Sequence, residues 1–234
     1  YRSTDNGQNW DPQNTGLTEH DITSLAISAD KIFAASSNSI FSSTNNGTNW
    51  DQITVGQEPY SIREVHVSGK DLFVVAPGRG VFTSTNDGQS WTEITIGASS
   101  ENVYSLLFSG TYMYAGTGTA TGDGVLVSSD NGATWQTTNF NFVIQNMLVM
   151  NLAIIDTHLF AATHQSGIFH STNNGTTWNQ LNYGIGYQYT NKLVVLGKNL
   201  FAATDSGVFR STDYGTTWKD VFSIEGNQYI STLF

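Results

Sequence analysis

One octet orders the chain. Ser211-Thr212-Asp213-Tyr214-Gly215-Thr216-Thr217-Trp218 has five counterparts upstream, at residues 3–10, 43–50, 84–91, 128–135 and 171–178. Their tryptophans, Trp10, Trp50, Trp91, Trp135, Trp178 and Trp218, are separated by 40, 41, 44, 43 and 40 residues and account for all six Trp of the 234-residue sequence. Self-similarity at a fixed interval of this length is the mark of a repeat architecture, in which each unit buries its apolar faces against its neighbours. The octet reads as a tight turn between two strands. Asp5, Asn45, Asn86, Asp130, Asn173 and Asp213 place a side-chain oxygen where it can accept bonds from backbone N–H groups, and the glycine two residues on supplies the left-handed conformation that closes the turn. The Trp then opens the outgoing strand and lays its ring over the turn.

A second pattern fills the intervals. Residues 25–35, 65–75, 106–116, 152–162 and 193–203 superpose as strand, short turn, strand, rich in β-branched and aromatic residues and bounded by Gly, Ser, Asp or Asn. A third strand leads into each octet and a fourth begins at its Trp. No i, i+3, i+4 apolar periodicity occurs. The chain is therefore expected to be all-β, a β-propeller of four-stranded antiparallel blades forming one domain over residues 1–234. About six blades are expected. Five are complete, and a composite one joins residues 1–10 to a first strand at residues 229–234, within a parent that is open to seven blades.

The octet resembles the Asp-box, or BNR repeat, of the sialidase-like and xyloglucanase-like propellers, and six copies in phase carry the resemblance from Ser3 to Trp218. Asn45, Asn86 and Asn173 stand where that family prefers Asp, which keeps an acceptor in place. The resemblance implies that the boxes are structural and share one face with the turns between first and second strands. Ligands would then be met on the opposite face, by the loops between blades and those between second and third strands.

On that opposite face the expected ligand-binding residues are Tyr60, Arg63, Arg79, Tyr104, Asp123, His164, Tyr187, Tyr189, Asp205 and Tyr229, with His20, Asp21, Glu58, Glu101, Phe140, Phe142 and Tyr183 around them. Tyr rings beside carboxylates and amides suit a sugar, whose C–H face stacks and whose hydroxyls bond, and suit a polypeptide equally. The same aromatics also read as plugs that shield blade packing. Strand alternation puts Leu25, Ile27, Val65, Val67, Leu106, Phe108, Leu152, Ile154, Leu193 and Val195 between blades. The neighbouring phase, Ser24, Glu64, Ser105, Asn151, Lys192 and Thr232, is polar throughout and is expected to face a wet central channel.

Charge narrows the partners. Nine basic against nineteen acidic residues give a net charge of −10, which repels phosphate backbones, so nucleic acid is not an expected partner. No apolar run approaches a membrane span, and the absence of cysteine removes disulfides and thiolate chemistry. His20, His66, His158, His164 and His170 show no metal-ligand spacing, and no cofactor or metal is expected. Little Lys with abundant Ser, Thr, Asn and Gly favours a secreted or cell-surface setting.

Catalysis by the resemblance fares poorly. A sialidase needs three converging Arg, yet of the four here Arg2 and Arg210 precede box serines, which leaves Arg63 and Arg79. An ordinary glycosidase needs two carboxylates roughly 5–9.5 Å apart, and the related xyloglucan enzymes place their cleft between two propellers. The expectation is a non-catalytic binding or adhesion propeller for a glycan or protein partner, as a homo-oligomer or part of a larger multi-domain chain. A glycoside hydrolase, or a fragment of one, and an assembly or scaffold factor are the alternatives.

Overall fold

A computed structural model describes residues 1–55, 61–97, 102–118, 124–138, 148–185, 189–223 and 230. The chain divides into two compact units, Tyr1–Thr95 and Ile96–Phe234. In the first, β1 (Ile22–Ile27), β2 (Ile32–Ser36), β3 (Ile40–Ser43) and β4 (Asp51–Ile53) form one sheet. A second sheet holds β5 (Glu64–Ser68), β6 (Asp71–Ala76), β7 (Gly80–Ser84) and β8 (Thr92–Ile94). The second unit carries three sheets. The third is β9 (Val103–Ser109), β10 (Tyr112–Thr117), β11 (Val125–Ser128) and β12 (Gln136–Thr137). The fourth is β13 (Leu148–Ile155), β14 (His158–His164), β15 (Gly167–Ser171) and β16 (Asn179–Gln180). The fifth is β17 (Thr190–Leu196), β18 (Asn199–Thr204), β19 (Gly207–Ser211) and β20 (Lys219–Ser223). Every sheet is antiparallel with its strands in chain order.

The octets make the turns between third and fourth strands. In the last, the Ser211 hydroxyl accepts from the Gly215 N–H at 2.8 Å and donates to Asp213 Oδ1, which itself accepts from the Thr217 N–H at 2.9 Å. The Asn copies use the same acceptor: Asn173 Oδ1 takes the Thr177 N–H at 2.9 Å. The fourth octet residue is left-handed in all six, from Asn174 at φ 53° to Asn6 at 58°. Asn and Asp tolerate that conformation; Tyr214, at 55°, does so at a cost.

Neighbouring sheets pack face to face within each unit, and the fourth sheet is covered on both faces. Leu159, Ala161, Phe169 and Trp178 of the fourth sheet pack on Tyr114 and Val125 of the third. On its other side, Phe160, Ala162 and Ile168 meet Leu193, Leu200, Ala202 and Trp218 of the fifth. In the first unit Phe33, Ala35 and Ile40 meet Val65, Leu72 and Val74. First strands lie beside first strands, β1 with β5, and β9 and β17 each with β13.

Two ties repeat at these junctions. Three of the polar residues expected to line a wet channel, Ser24, Ser105 and Asn151, instead reach the next first strand. Ser24 Oγ accepts from the Val65 N–H at 3.2 Å, Ser105 Oγ from Leu152 N–H at 3.3 Å, and Asn151 Oδ1 from Leu193 N–H at 2.9 Å. Ser105 is fully buried, Asn151 5 % and Glu64 6 % exposed, which corrects the expectation: a buried N–H facing the neighbouring strand needs a partner, and the side chain provides it. Thr232 lies outside the described residues. In the second tie, the loop leaving a fourth strand hooks the next box. Trp50 N–H donates to Thr15 C=O at 2.9 Å, and Trp218 N–H to Tyr183 C=O at 3.1 Å. Gly16 and Gly184, at φ +91° and +88°, lie so close to those Trp carbonyls that a Cβ would clash.

Other expectations need correction. Five four-stranded sheets, not about six, are present among the described residues. Residues 1–11 contribute only the Arg2–Asp11 bridge, with two backbone bonds, before the chain turns away to hook Trp50. Residues 229 and 231–234 lie outside the described set. Leu25 and Ile27, expected between blades, are 54 % and 74 % exposed. Their counterpart Leu193 is covered by the fourth sheet, whereas nothing described covers that face of β1. The box tryptophans also differ: Trp218 and Trp178 are 4 % and 6 % exposed, Trp50, Trp91 and Trp135 half-buried, and Trp10 59 % exposed.

Candidate functional site

The side away from the boxes is shaped by a bulge at the start of the first strand. Register slips between Ile22 and Ser24 in β1, opposite Gly116 and Thr117 in β9, between Val149 and Asn151 in β13, and between Thr190 and Lys192 in β17. Arg63 N–H and β5 residue Glu64 both address Val75, which produces the same effect in the second sheet. Bulges re-aim side chains. The residues so placed are Thr23 and Arg63 in the first unit and Tyr104, Met150 and Asn191 in the second. Sequence reading named Arg63 and Tyr104 and missed the other three; the signal was the position immediately before each polar tie residue.

In the second unit a continuous row crosses the three sheets. The half-buried Tyr104 ring lies against Gly118, where a Cβ would meet Tyr104 Cε2 at 2.9 Å. Gly118 bridges to Leu148, and Leu148 pairs with His164. The His164 ring meets Tyr189 with centroids 4.4 Å apart and planes at 51°; Tyr189, 39 % exposed, accepts the Asp205 N–H on its carbonyl at 3.2 Å. Gln165, beside His164, is held at φ 86°, a conformation rare outside glycine. At the end of the row Asn191 Nδ2 donates to Ile230 C=O at 3.0 Å, while Ile230 N–H donates to Thr204 C=O at 3.3 Å.

The structure thus brings His164, Tyr189 and Asp205 together, with Tyr104 at the far end of the same row. In the first unit, Arg63 is half-buried before β5 and Arg79 is exposed in the turn between β6 and β7. His20 and Asp21 are exposed ahead of β1, and Tyr183 is exposed in the loop that hooks Trp218. Tyr60, Asp123, Tyr187 and Tyr229, with Glu58, Glu101, Phe140 and Phe142, lie outside the described residues. Sequence reading also missed Glu19, whose carboxylate accepts from Ser36 at 2.6 Å and Ser39 at 2.8 Å and so braces the loop between β2 and β3. The Ser36 hydrogen bond is the main cause that holds its carboxyl below the usual range. No group of three metal-ligating side chains occurs among the described residues.

Residues 63–185, more than half of the chain, match the DUF6242 beta propeller domain, and residues 1–12 match the BNR/Asp-box repeat. The chain belongs to the DUF6242 beta-propeller family. No curated protein matches it by sequence. Among solved structures, it superposes on the extracellular domain of a putative hybrid two component system from B. thetaiotaomicron with TM-score 0.74 and 16 % identity, over 95 % of this chain and 32 % of that one. The GH74 xyloglucanase from Xanthomonas campestris gives 0.69 and 16 %, over 89 % and 40 %. YCF48 bound to D1 peptide gives 0.70 and 16 %, over 92 % and 71 %. The chain therefore spans about two fifths of the xyloglucanase. At these identities the likeness is one of fold. No helix among the described residues is long and apolar enough to cross a membrane.

Proposed function

We propose that this DUF6242 propeller is a non-catalytic binding module, secreted or at the cell surface, that recognises a glycan or a protein partner through the side opposite its Asp-boxes. The observation that carries this reading is the row through His164, Tyr189 and Asp205, where two rings meet and the exposed Asp205 is tied to Tyr189 through its backbone N–H. Rings cover an apolar C–H surface and a carboxylate accepts from hydroxyl or amide donors, which is what either partner offers. A fold shared with YCF48 bound to D1 peptide and with the extracellular domain of a putative hybrid two component system is in keeping with it.

The test is binding of the purified chain to immobilised xyloglucan oligosaccharides and to a phage-displayed random peptide library. Tyr189→Ala and Asp205→Ala should each weaken selected binding by about tenfold or more while the melting temperature holds. Undiminished binding in both would refute the site. Turnover of the oligosaccharides, abolished by one carboxylate substitution, would replace binding with hydrolysis.

A further inference from the structure

The fourth sheet carries on its box side a pair of imidazoles found in none of the other sheets. His158 opens β14 and His170 lies opposite it near the end of β15. His158 Nδ1 and His170 Nε2 are 2.7 Å apart, with ring planes 8° from parallel and centroids separated by 4.9 Å. The position of His158 is taken by Lys31, Asp71, Tyr112 and Asn199 in the other sheets, and that of His170 by Ser42, Thr83, Val127 and Arg210. Tyr214 stacks on His158 at 4.1 Å and Phe160 on His170 at 4.7 Å, so the pair is sandwiched between the core and the last box turn.

Tyr214 is itself exceptional. It holds the left-handed box position that Asn or Asp fills in the other five octets, and its hydroxyl donates to Asp156 Oδ2 at 3.0 Å. Asp156 is left-handed too, at φ 54°, where the second, third and fifth sheets use Gly69, Gly110 and Gly197. A left-handed Asp156 and a costly left-handed Tyr214 therefore meet in one contact that closes over the imidazoles.

An imidazole N–H···N bond holds one proton between the rings. A neutral pair makes it with complementary tautomers, and a singly charged pair keeps it, since the added proton goes to a nitrogen facing away. A second added proton puts N–H groups on both facing nitrogens, and the bond is lost. We propose that His158 and His170 form a proton-operated latch, shut while the pair holds at most one positive charge and opened by the second, which releases Tyr214 and loosens the junction of the fourth and fifth sheets. His164 and Tyr189 meet at the other end of that junction.

Among the described residues, neither imidazole is in an ion pair. Ile155 of β13 lies opposite His158 and Asn179 of β16 opposite His170. The charged groups nearby are Asp156, engaged by Tyr214, and Asp213, whose carboxylate is turned to Ser211 and Thr217. Burial first, and then the His158 charge, push His170 below its ordinary value. Such a group favours folding at neutral pH, and the contribution fades as pH falls below the free imidazole range near about 6.5.

The test follows each histidine of the whole chain by imidazole NMR from pH 8 to 5, with exchange of the Gly215 amide as the structural readout after correction for intrinsic rates. His20, exposed ahead of β1, serves as the internal reference. One of the paired rings should titrate at least about one unit below the other, and Gly215 protection should fall about tenfold or more as it does so. His158→Asn and His170→Thr, which copy the fifth and second sheets, should make that protection independent of pH. Independent titration of both rings near about 6.5, or the same loss of protection in both variants, would overturn the latch. Should a variant fail to fold, the titration of the unsubstituted chain decides.

Discussion

Replacing box tryptophans one at a time separates a local turn device from an inter-sheet anchor. Trp178 is 6 % exposed, packs with Tyr114, Val125, Val149 and Leu152, and donates its indole N–H to Thr138 Oγ1 at 3.3 Å in the preceding repeat. Trp10 is 59 % exposed, and its indole N–H reaches only Gly7 C=O of its own turn, at 3.1 Å. A buried Trp removes roughly 150–250 Å² from water, worth ~4–6 kcal/mol at about 25 cal/mol per Å² before relaxation. Measured large-to-small core truncations give ~3–5 kcal/mol. Trp178→Ala should therefore cost about 4 kcal/mol, a melting shift of roughly 8–16 °C for a chain of this size, whereas Trp10→Ala should cost under ~1 kcal/mol. Thr138→Val, which removes the hydroxyl that accepts from the indole and donates to Val125 C=O at 2.6 Å while keeping the packing, should cost about 1 kcal/mol. Urea denaturation followed by far-UV circular dichroism, with a check that the slope is unchanged, gives all three values. Equal costs at Trp10 and Trp178 would refute the argument, since the octet would then be stabilised by its own turn alone.

The remaining predictions concern the boxes in acid and the ties between first strands. Hydrogen bonds from the Thr134 hydroxyl and then its N–H hold the Asp130 carboxyl at about 2, and the Asn9 N–H does the same for Asp5. Folded values below the unfolded ones add stability above about pH 4 that is lost as pH falls toward 2, so Asp130→Asn should flatten the acid limb of a melting profile; an unchanged limb would rule this out. Asn151→Leu leaves the Leu193 N–H without its 2.9 Å acceptor and should cost about 1–3 kcal/mol in urea melts. A cost within error would mean that water or a register shift replaces the bond.

Much of the fold was legible because its determinants are local. Ser, Asp or Asn, Gly and Trp at fixed offsets define a turn whose bonds run within the octet, and period-2 alternation set the strands between. What was not legible depends on where neighbours stop. Leu25 and Leu193 read alike, yet one is exposed and the other covered by a sheet. The phase of Ser24, Ser105 and Asn151 was visible, but polar residues in register can face water or a neighbour's N–H, and only the strand spacing decides between them. At the candidate site, Tyr104 and Arg63 were found as aromatic or charged residues in loops. Thr23, Met150 and Asn191 escaped because a bulge is a backbone event: their place before a polar tie residue is visible in the sequence, but the register slip that re-aims them is not. His158 and His170, twelve residues apart on paired strands, looked isolated for the same reason: cross-strand register places them together.

Where sheets of one unit meet, each tie runs from one repeat to the next: box Trp to the loop behind it, polar residue to the strand ahead. Socket and plug are therefore cut to a common gauge. A gene that copies or drops about forty codons in phase passes on matching joints at both ends, so the number of sheets can change without creating a mismatched junction.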